Sequence, residues 1–219
     1  MPYAELLNHR QEVISLIHPH NTEMDLSIAY ALYFAARGRG QCYRRPQATA
    51  EEYATPARVL LSGLGADELF GGYGRHAVAF KCRGYAGLVD ELKLDVSRLG
   101  KRNLGRDDRV MTHWSREVRF PYLDEDLVRW AIQLPVQDKC DFGNEKPDHG
   151  IEAGKRILRL VAEEVGMTGV AREKKRAVRI CALSTRMQAA NRAVFQIQFG
   201  SRTAKMESGK VKGTAQIAS

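Results

Sequence analysis

The chain has 219 residues, of which 44% are hydrophobic and 27% are charged, a composition typical of a globular protein that can bury one sizeable core. Its formal net charge is +8, but the basic residues are scattered along the chain, which argues against a nucleic-acid surface. Four widely spaced cysteines without a C-x-x-C pair argue against a disulfide scaffold, and because no stretch resembles a signal peptide or a membrane span, we expect a cytoplasmic protein.

The first third of the chain predicts two helices and a loop. Apolar residues recur at helical spacing over residues 1–16, which predicts an amphipathic helix. Thr22, followed three residues later by Asp25, is a helix-capping pattern, so a second helix should run to Ala36. Residues 38–56 are rich in Gly, Arg, Gln, Thr and Pro without an apolar period, which predicts a surface loop.

The most informative stretch is a short apolar run, residues 58–61, which predicts a buried strand and ends in the string SGLGADE. Gly63 and Gly65 permit backbone conformations closed to other residues, so consecutive N–H groups can converge on an anion. Asp67 and Glu68 then place carboxylates beside those donors, which suits a magnesium-bound phosphate chain. On spacing alone, an ordinary tight turn with a capping carboxylate explains the same residues.

The second half of the chain is predicted to be mainly helical. A helical pattern covers residues 76–99, and Asp124 is placed to cap a helix that Pro135 ends. Residues 151–165 carry a clear helical stripe, with Gly166 where a C-terminal glycine belongs. Between these helices, charged residues crowd residues 102–109 densely enough that a structural ion network is one explanation.

Two of these stretches resemble the asparagine synthetases. SGLGADELFGGY, residues 62–73, resembles the second pyrophosphate loop of that family, and RNLGRDDRVMTHWSREVRFPYLDEDLV, residues 102–128, resembles a second family segment. The resemblance implies an α/β, adenine nucleotide alpha-hydrolase-like domain (Rossmann-like, ATP-pyrophosphatase), of which this chain would hold a helix-rich C-terminal portion with one strand.

The resemblance also implies a reaction: ATP-dependent amidation of aspartate to asparagine by a ligase of the glutamine amidotransferase type, with ATP and Mg²⁺ bound at the loop. Ammonia would come from a glutaminase domain, which this chain lacks. Asp67 would hold magnesium through pyrophosphate. The implied nucleotide and pyrophosphate contacts are Ser62, Gly63, Gly65, Asp67, Glu68 and Tyr73, and the implied site wall is Arg106, Asp108 and Arg109.

Several departures from the family pattern lead us to expect that this chain alone makes no asparagine. The family's first pyrophosphate loop, Ser-Gly-Gly-x-Asp-Ser, does not occur in the sequence. Leu64 stands where the family has glutamate, so a carboxylate that could handle protons is missing there. The late Arg-x-Lys-x-x-Phe motif is also incomplete, which leaves its lysine unplaced. A catalytically inactive nucleotide-binding or interaction module of the same family is therefore the alternative.

The C-terminal part of the chain is divided by an interruption. Residues 178–196 break the family segment, and their ends can be encoded as the two ends of an intron, so they are either a retained intron read in frame or an inserted loop. The family segment then returns over residues 197–206. Residues 1–177 would thus form the partial synthetase domain, and residues 207–219 a disordered tail.

Overall fold

The computed structural model describes residues 3–43, 45, 49–144, 150–175, 177–182, 195–200 and 215–217. The helices are α1 (Tyr3–Asn8), α2 (Arg10–Ile17), α3 (Glu23–Ala36), α4 (Ala66–Leu69), α5 (Gly74–Leu99), α6 (Gly105–Thr112), α7 (Glu125–Gln133), α8 (Val136–Lys139), α9 (Arg156–Glu164) and α10 (Thr168–Ala171). The strands are β1 (Arg39–Cys42), β2 (Glu51–Ala54), β3 (Val59–Leu61), β4 (Glu117–Arg119), β5 (Ala177–Ala182) and β6 (Phe195–Gly200). A π-helical turn, Gly100–Leu104, precedes α6, and a 3₁₀ turn, Pro121–Leu123, precedes α7.

The chain forms two compact units, each assembled from separate stretches of sequence. The first unit comprises Met1–Leu60, Gly105–Val118 and Arg176–Ser219, and the second unit comprises Leu61–Leu104 and Arg119–Lys175.

Helix α3 is the centre of the first unit and confirms the capping prediction. Thr22 is its N-cap and accepts a hydrogen bond from the Asp25 N–H at 3.2 Å. The helix ends where Gly38 adopts a left-handed φ of +70°, a conformation that glycine takes without strain. Apolar side chains cover almost all of its circumference, and it packs between α2 and α6.

Two predictions for the first unit are wrong in part. The helix expected over residues 1–16 is broken at His9 into α1 and α2. The loop expected over residues 38–56 contains a hairpin, in which β1 pairs antiparallel with β2 from Arg39↔Ala54 to Cys42↔Glu51. Both hairpin strands are exposed along their whole length, so they lack the apolar alternation that identifies a half-buried strand.

The second unit is held by two apolar clusters. In one, Leu69 and Phe70 at the end of α4 pack on Ala131 of α7, which Asp124 caps as predicted by accepting two backbone N–H bonds at 3.1 Å. The other joins α5 to α8. Its buried members are Leu88, Leu92, Val136 and Cys140.

The strand before the loop is confirmed, but its predicted burial is wrong. Strand β3 pairs with β4 in a two-stranded sheet. Val59 is nevertheless 42% exposed and Leu61 is 74% exposed. An apolar β-branched run indicates strand conformation, but the number of layers that cover a strand is set elsewhere in the chain.

The late part of the chain differs from expectation in three places. Helix α9 begins at Arg156 rather than near residue 151, because Lys155 adopts a left-handed φ of +56°. Ends of the interruption contribute to an antiparallel hairpin of β5 and β6. Together with β1, β2 and β4, these two strands bring the number in the described residues to six, where one was predicted. In the tail expected to be disordered, Gln216 bridges to Thr22.

The predicted domain boundaries around the interruption stay predictions. Residues 183–194, 201–214 and 218–219 lie outside the described residues. Within the described part of the chain, no helix combines the length and apolar character that a bilayer crossing requires.

Candidate functional site

The loop after β3 carries the predicted pyrophosphate contacts and belongs to the second unit. Its start is anchored by the Ser62 N–H, which donates to the Arg119 carbonyl at 2.9 Å. The hydroxyl of Ser62 in turn accepts from the Leu64 N–H at 3.3 Å. Gly65 has a φ of +102°, and a Cβ there would lie 2.7 Å from a methyl carbon of Leu123. Both conformation and space therefore require glycine at position 65.

Two backbone donors of this loop are available. The N–H groups of Gly63 and Gly65 donate to no acceptor within the described residues. The carbonyl of Gly63 is occupied, since it accepts from the Ala66 N–H at 3.3 Å. These two amides flank Leu64, whose own N–H is bonded to the Ser62 hydroxyl, so they are alternate rather than consecutive donors. Convergence of consecutive N–H groups on an anion stays a prediction.

Two lysines from distant parts of the sequence lie close to the Asp67 carboxylate, which is next to these amides. Asp67 Oδ1 lies 2.9 Å from Lys155 Nζ, and Asp67 Oδ2 lies 3.4 Å from Lys175 Nζ. All three side chains remain about a quarter exposed, at 24%, 25% and 28% for Asp67, Lys155 and Lys175. Two ammonium groups against one carboxylate leave a net charge of +1 at this point.

The Asp67 carboxylate is held by charge more than by hydrogen bonds. Oδ1 is shielded from solvent and has no hydrogen-bond donor within the described residues, although its distance to Lys155 is that of an ion pair. The angle at this contact is therefore not that of a hydrogen bond, and Oδ1 can accept another ligand. Gly72 leaves space for Oδ1 itself, because a Cβ at position 72 would lie 1.9 Å from this oxygen.

Backbone contacts fix the position of Lys155. Its N–H donates to the carbonyl of Phe70 at 2.8 Å, directly after the loop and α4. Gly154 lies so close to Gly71 that a Cβ on it would come within 3.0 Å of the Gly71 carbonyl oxygen. The start of α9 is thereby fixed against the segment that follows the loop.

Lys175 is positioned by a buried arginine. Arg159 donates to the carbonyl oxygens of Ala171 at 2.6 Å and Glu173 at 2.7 Å, and to Glu152 Oε2 at 2.8 Å. The same Glu152 oxygen accepts from the Lys175 N–H at 3.1 Å. Although Arg159 is charged, its side chain does not lie on a solvated helix face, because it is buried and clamps the segment that carries Lys175.

The buried Glu68 and the half-buried Tyr73 form a hydrogen-bonded pair beside this cluster. The Tyr73 hydroxyl donates to Glu68 Oε1 at 2.6 Å, and Asn103 Nδ2 donates to the same oxygen at 2.9 Å. Burial, followed by the nearby Glu68 charge, raises the pKa of Tyr73 well above its usual range, so it stays protonated and donates. The Lys175 ammonium lies 4.9 Å from the centre of the Tyr73 ring, a cation–π distance. Tyr73 thus faces both the buried Glu68 and the lysine cluster.

His76 caps the long helix rather than serving the cluster directly. It is fully buried, its Nδ1 accepts from the Tyr73 N–H at 3.2 Å, and its Nε2 lies 2.8 Å from Asp95 Oδ2. Because Nδ1 accepts, the ring proton resides on Nε2 and points at Asp95.

The residues predicted to wall the site, Arg106, Asp108 and Arg109, all belong to α6 of the first unit. Arg106 is buried and donates to Asp25 Oδ1 at 2.6 Å and to Asp107 Oδ1 at 2.8 Å. Burial alone would lower the pKa of Arg106, but its two carboxylate partners outweigh that effect and raise it. The charged stretch therefore contains the ion network that was the structural alternative.

Arg109 and Asp108 also take part in contacts within the first unit. Arg109 donates to the carbonyls of Leu16 at 2.6 Å and His18 at 2.7 Å, where α2 ends with unpaired carbonyl oxygens. The Asp108 carbonyl accepts from the Thr112 hydroxyl at 2.8 Å. A role of these residues as a site wall stays a prediction.

Comparison with known proteins identifies the family. The family model described as asparagine synthase matches residues 47–90 and 80–209, which include the loop and both lysines. The chain belongs to the asparagine synthase family. It is 40% identical over 209 residues to asparagine synthetase domain-containing protein 1 of Gallus gallus, covering 95% of this chain and 29% of that protein.

Other relatives extend the same comparison. The human asparagine synthetase domain-containing protein 1 is 40% identical over 198 residues, covering 90% of this chain and 27% of that protein. Asparagine synthetase B [glutamine-hydrolyzing] of Escherichia coli is 31% identical over 118 residues, covering 54% of this chain and 20% of that protein. The chain spans less than a third of the length of these curated relatives.

Proposed function

We propose that the second unit binds the pyrophosphate portion of ATP through residues 62–68, within an asparagine-synthetase-type amidation of aspartate. The observation that carries the proposal is the convergence of Lys155 and Lys175 on Asp67, next to the free amides of Gly63 and Gly65. Ammonium groups and backbone N–H donors are the groups that bind phosphate oxygens in proteins.

The cluster supports an exchange of partners when phosphate enters. Without ligand, Asp67 neutralises one of the two lysine charges and keeps both ammonium groups in place. Phosphate oxygens would take over the lysines, because they carry more negative charge than one carboxylate. Asp67 would then be released from the lysines and could take a new partner at Oδ1, which has no hydrogen-bond donor within the described residues.

The residues present also fit a magnesium ion. Mg²⁺ in nucleotide sites is held by one or two carboxylates together with phosphate oxygens and water, and Asp67 supplies one carboxylate with an unsatisfied oxygen. No cluster of three or more metal-binding side chains occurs among the residues that the structure describes, so the phosphates would provide the remaining ligands. Bound Mg²⁺ would supply positive charge to the leaving pyrophosphate.

Family membership supports the remaining parts of the proposal. In the complete protein, the domain would have an adenine nucleotide alpha-hydrolase-like fold, aspartate would be the acceptor substrate, and a glutaminase domain in cis would supply ammonia. The aspartate carboxylate would attack the α-phosphorus of ATP and expel pyrophosphate, and ammonia would then displace AMP. A cytoplasmic location belongs to the same proposal.

A second candidate function is nucleotide binding without catalysis. Leu64 favours it, because an apolar side chain at the position where the family pattern has glutamate cannot move a proton or orient ammonia. The binding contacts proposed above do not involve the Leu64 side chain, so binding can persist where catalysis is lost.

Calorimetric titration of the 219-residue chain with Mg-ATP tests the binding step. Hydrogen bonds to charged groups contribute about 1.5–3 kcal/mol, so Lys155→Gln should weaken Mg-ATP binding by about 10- to 100-fold. Lys93→Gln removes the same charge from an exposed position on α5 and should leave binding unchanged. Equal affinities of the two variants would contradict the proposal.

Pyrophosphate release separates the two candidate functions. The chain is incubated with Mg-ATP, aspartate and ammonium, and pyrophosphate is measured. Aspartate-dependent release would support the amidation function and contradict our expectation for this chain alone. Binding of Mg-ATP without release would support the nucleotide-binding module, and Leu64→Glu then tests whether the missing carboxylate is the cause.

A further inference from the structure

The first unit contains a cavity of about 390 Å³ whose residues take no part in the candidate site. It lies where α3 ends, beneath the β1–β2 hairpin and beside the segment after α6. Its volume falls within the range of small-molecule sites. The residues that line it are Arg37, Gly38, Arg39, Ala54, Thr55, Trp114 and Arg116.

The lining of this cavity is strongly basic. Arg37, Arg39 and Arg116 contribute three guanidinium groups, and no carboxylate is among the lining residues. One of these charges is partly offset, because Arg37 Nη1 is paired with Glu5. The cavity therefore has a net charge of about +2, and like charges gathered in this way favour an anionic ligand.

Three hydrogen-bond donors of the lining residues are buried without an acceptor. They are Nε of Arg37, Nε of Arg116 and Nε1 of Trp114, each shielded from solvent and without a partner among the described residues. A buried donor without a partner costs about 1–3 kcal/mol. A phosphate reaches these donors only where their side chains turn toward the cavity, and its acceptor oxygens would then remove this cost.

The cavity is also preorganised. Arg116 Nη2 donates to the Arg37 carbonyl at 3.2 Å, which holds the guanidinium in place. Gly38, with its left-handed φ, provides the space, because a Cβ there would lie 2.3 Å from Arg116 Nη2. Any larger residue at position 38 would displace this arginine.

We propose that the cavity binds a phosphate dianion, either free or as the phosphoryl group of a small phosphomonoester. A dianion matches the net charge of about +2, and the planar guanidinium fork presents parallel N–H donors to phosphate oxygens. The site goes beyond the proposed function, because it shares no residue with the loop and lysine cluster of the second unit.

Tryptophan fluorescence of the full chain provides the test. The sequence contains two tryptophans, Trp114 and Trp130, so Trp130→Phe leaves Trp114 as the reporter. This variant is titrated with inorganic phosphate, with glycerol 3-phosphate and with acetate at constant ionic strength. We expect saturable emission changes with one or both phosphates, and weaker binding as the pH falls through the second phosphate pKa, which is about 6 for a phosphate ester.

The three ligands of the titration distinguish between the possible occupants of the cavity. Binding of inorganic phosphate as tightly as the ester indicates a free-phosphate site, whereas preference for the ester indicates that the organic part fills the rest of the cavity. A response to neither phosphate, or an equal response to acetate, overturns the proposal.

Substitutions in the Trp130→Phe background locate the response. Arg116→Gln should weaken phosphate binding at least tenfold, whereas Arg129→Gln, which removes an exposed arginine of the second unit, should not change it. If Arg116→Gln fails to fold, as judged by circular dichroism, Arg39→Gln carries the test, because Arg39 lies on an exposed strand. Unchanged affinity in the folded cavity variant overturns the proposal.

Discussion

The two units of this protein use clustered charges in opposite ways. In the first unit, Arg106 is buried and bonded to Asp25 and Asp107, each through a contact shorter than 3 Å. In the second unit, Asp67 faces Lys155 and Lys175 at a partly exposed surface, with one oxygen lacking a hydrogen-bond donor.

The difference shows which kind of charge cluster can take a ligand. The Arg106 network is closed, since its hydrogen bonds are made inside the protein and removal of one member strands the others. The Asp67 cluster is open, since its charges attract one another but remain accessible and can change partners. Substitutions in the closed cluster should therefore alter stability, and substitutions in the open cluster should alter binding.

The largest expected effect lies in the closed cluster. Arg106→Gln removes the buried cation that bonds to both Asp25 and Asp107, and breaking a buried pair in this way costs about 3–5 kcal/mol. Urea unfolding followed by circular dichroism measures the loss. The matched control Arg129→Gln breaks an exposed pair with Asp126 and should cost about 0–1 kcal/mol. Similar losses for both variants would remove the distinction between closed and open clusters.

Arg159 tests the comparison further, because it is a buried, hydrogen-bonded residue that supports the open Asp67 cluster. Arg159→Met strands the carbonyls of Ala171 and Glu173, and we expect a loss of about 2–3 kcal/mol in the free energy of unfolding. Binding of Mg-pyrophosphate should weaken as well, because Lys175 loses its support. Arg172→Gln is the control, since Arg172 is exposed and pairs only with Glu163 among the described residues. A loss of stability without any change in binding would show that Lys175 is dispensable.

Substitution of Asp67 should change ligand preference and hardly affect stability. Asp67→Asn removes the competitor for both lysines, so metal-free pyrophosphate should bind about tenfold tighter, or ~1.4 kcal/mol. With excess Mg²⁺ the same variant should bind more weakly than the wild type, because the metal loses its protein carboxylate. Calorimetric titrations with and without EDTA measure both constants. A change of the same sign in both conditions contradicts the exchange of partners.

The smallest effect is expected at Glu12 of the first unit, which is intermediate between the two types. Its carboxylate accepts from the Tyr33 hydroxyl and lies 3.2 Å from His113 Nε2. These contacts, with the Tyr33 hydrogen bond first, lower the pKa of Glu12 below its ordinary value of 4.5. Its contribution to stability is therefore present above pH 4.5 and is lost as the pH falls through the lowered pKa.

The test at Glu12 is a pair of unfolding series. Urea unfolding of the wild type and of Glu12→Gln is measured from pH 7 to pH 3. The two stabilities should converge at the acid end, and a constant difference across this range would show that the Glu12 charge contributes nothing.

Local sequence signals predicted the parts of the fold that local contacts determine. Thr22 and Asp124 mark helix starts because their side chains bond to backbone N–H groups two or three residues away. The exposed β1–β2 hairpin and the exposure of Leu61 escaped prediction, because both depend on which parts of the chain cover them.

The candidate site shows the same limit. Gly63, Gly65 and Asp67 could be predicted from a contiguous string. The approach of Lys155 and Lys175 to Asp67 could not, since it depends on a left-handed backbone at Lys155 and on the Arg159 clamp. The local sequence at the start of α9, a Lys-x-x-Leu-Arg string from Lys155 to Arg159, does not by itself indicate that approach.

One titration tests the open character of the Asp67 cluster most directly. Mg-pyrophosphate is titrated into the wild-type chain and into the Lys155→Gln/Lys175→Gln double variant, and thermal unfolding is recorded for both. We expect saturable binding to the wild type, loss of binding in the double variant, and a change of no more than about 4 °C in the unfolding temperature. Absence of binding to the wild type, or equal binding to both proteins, would contradict the account.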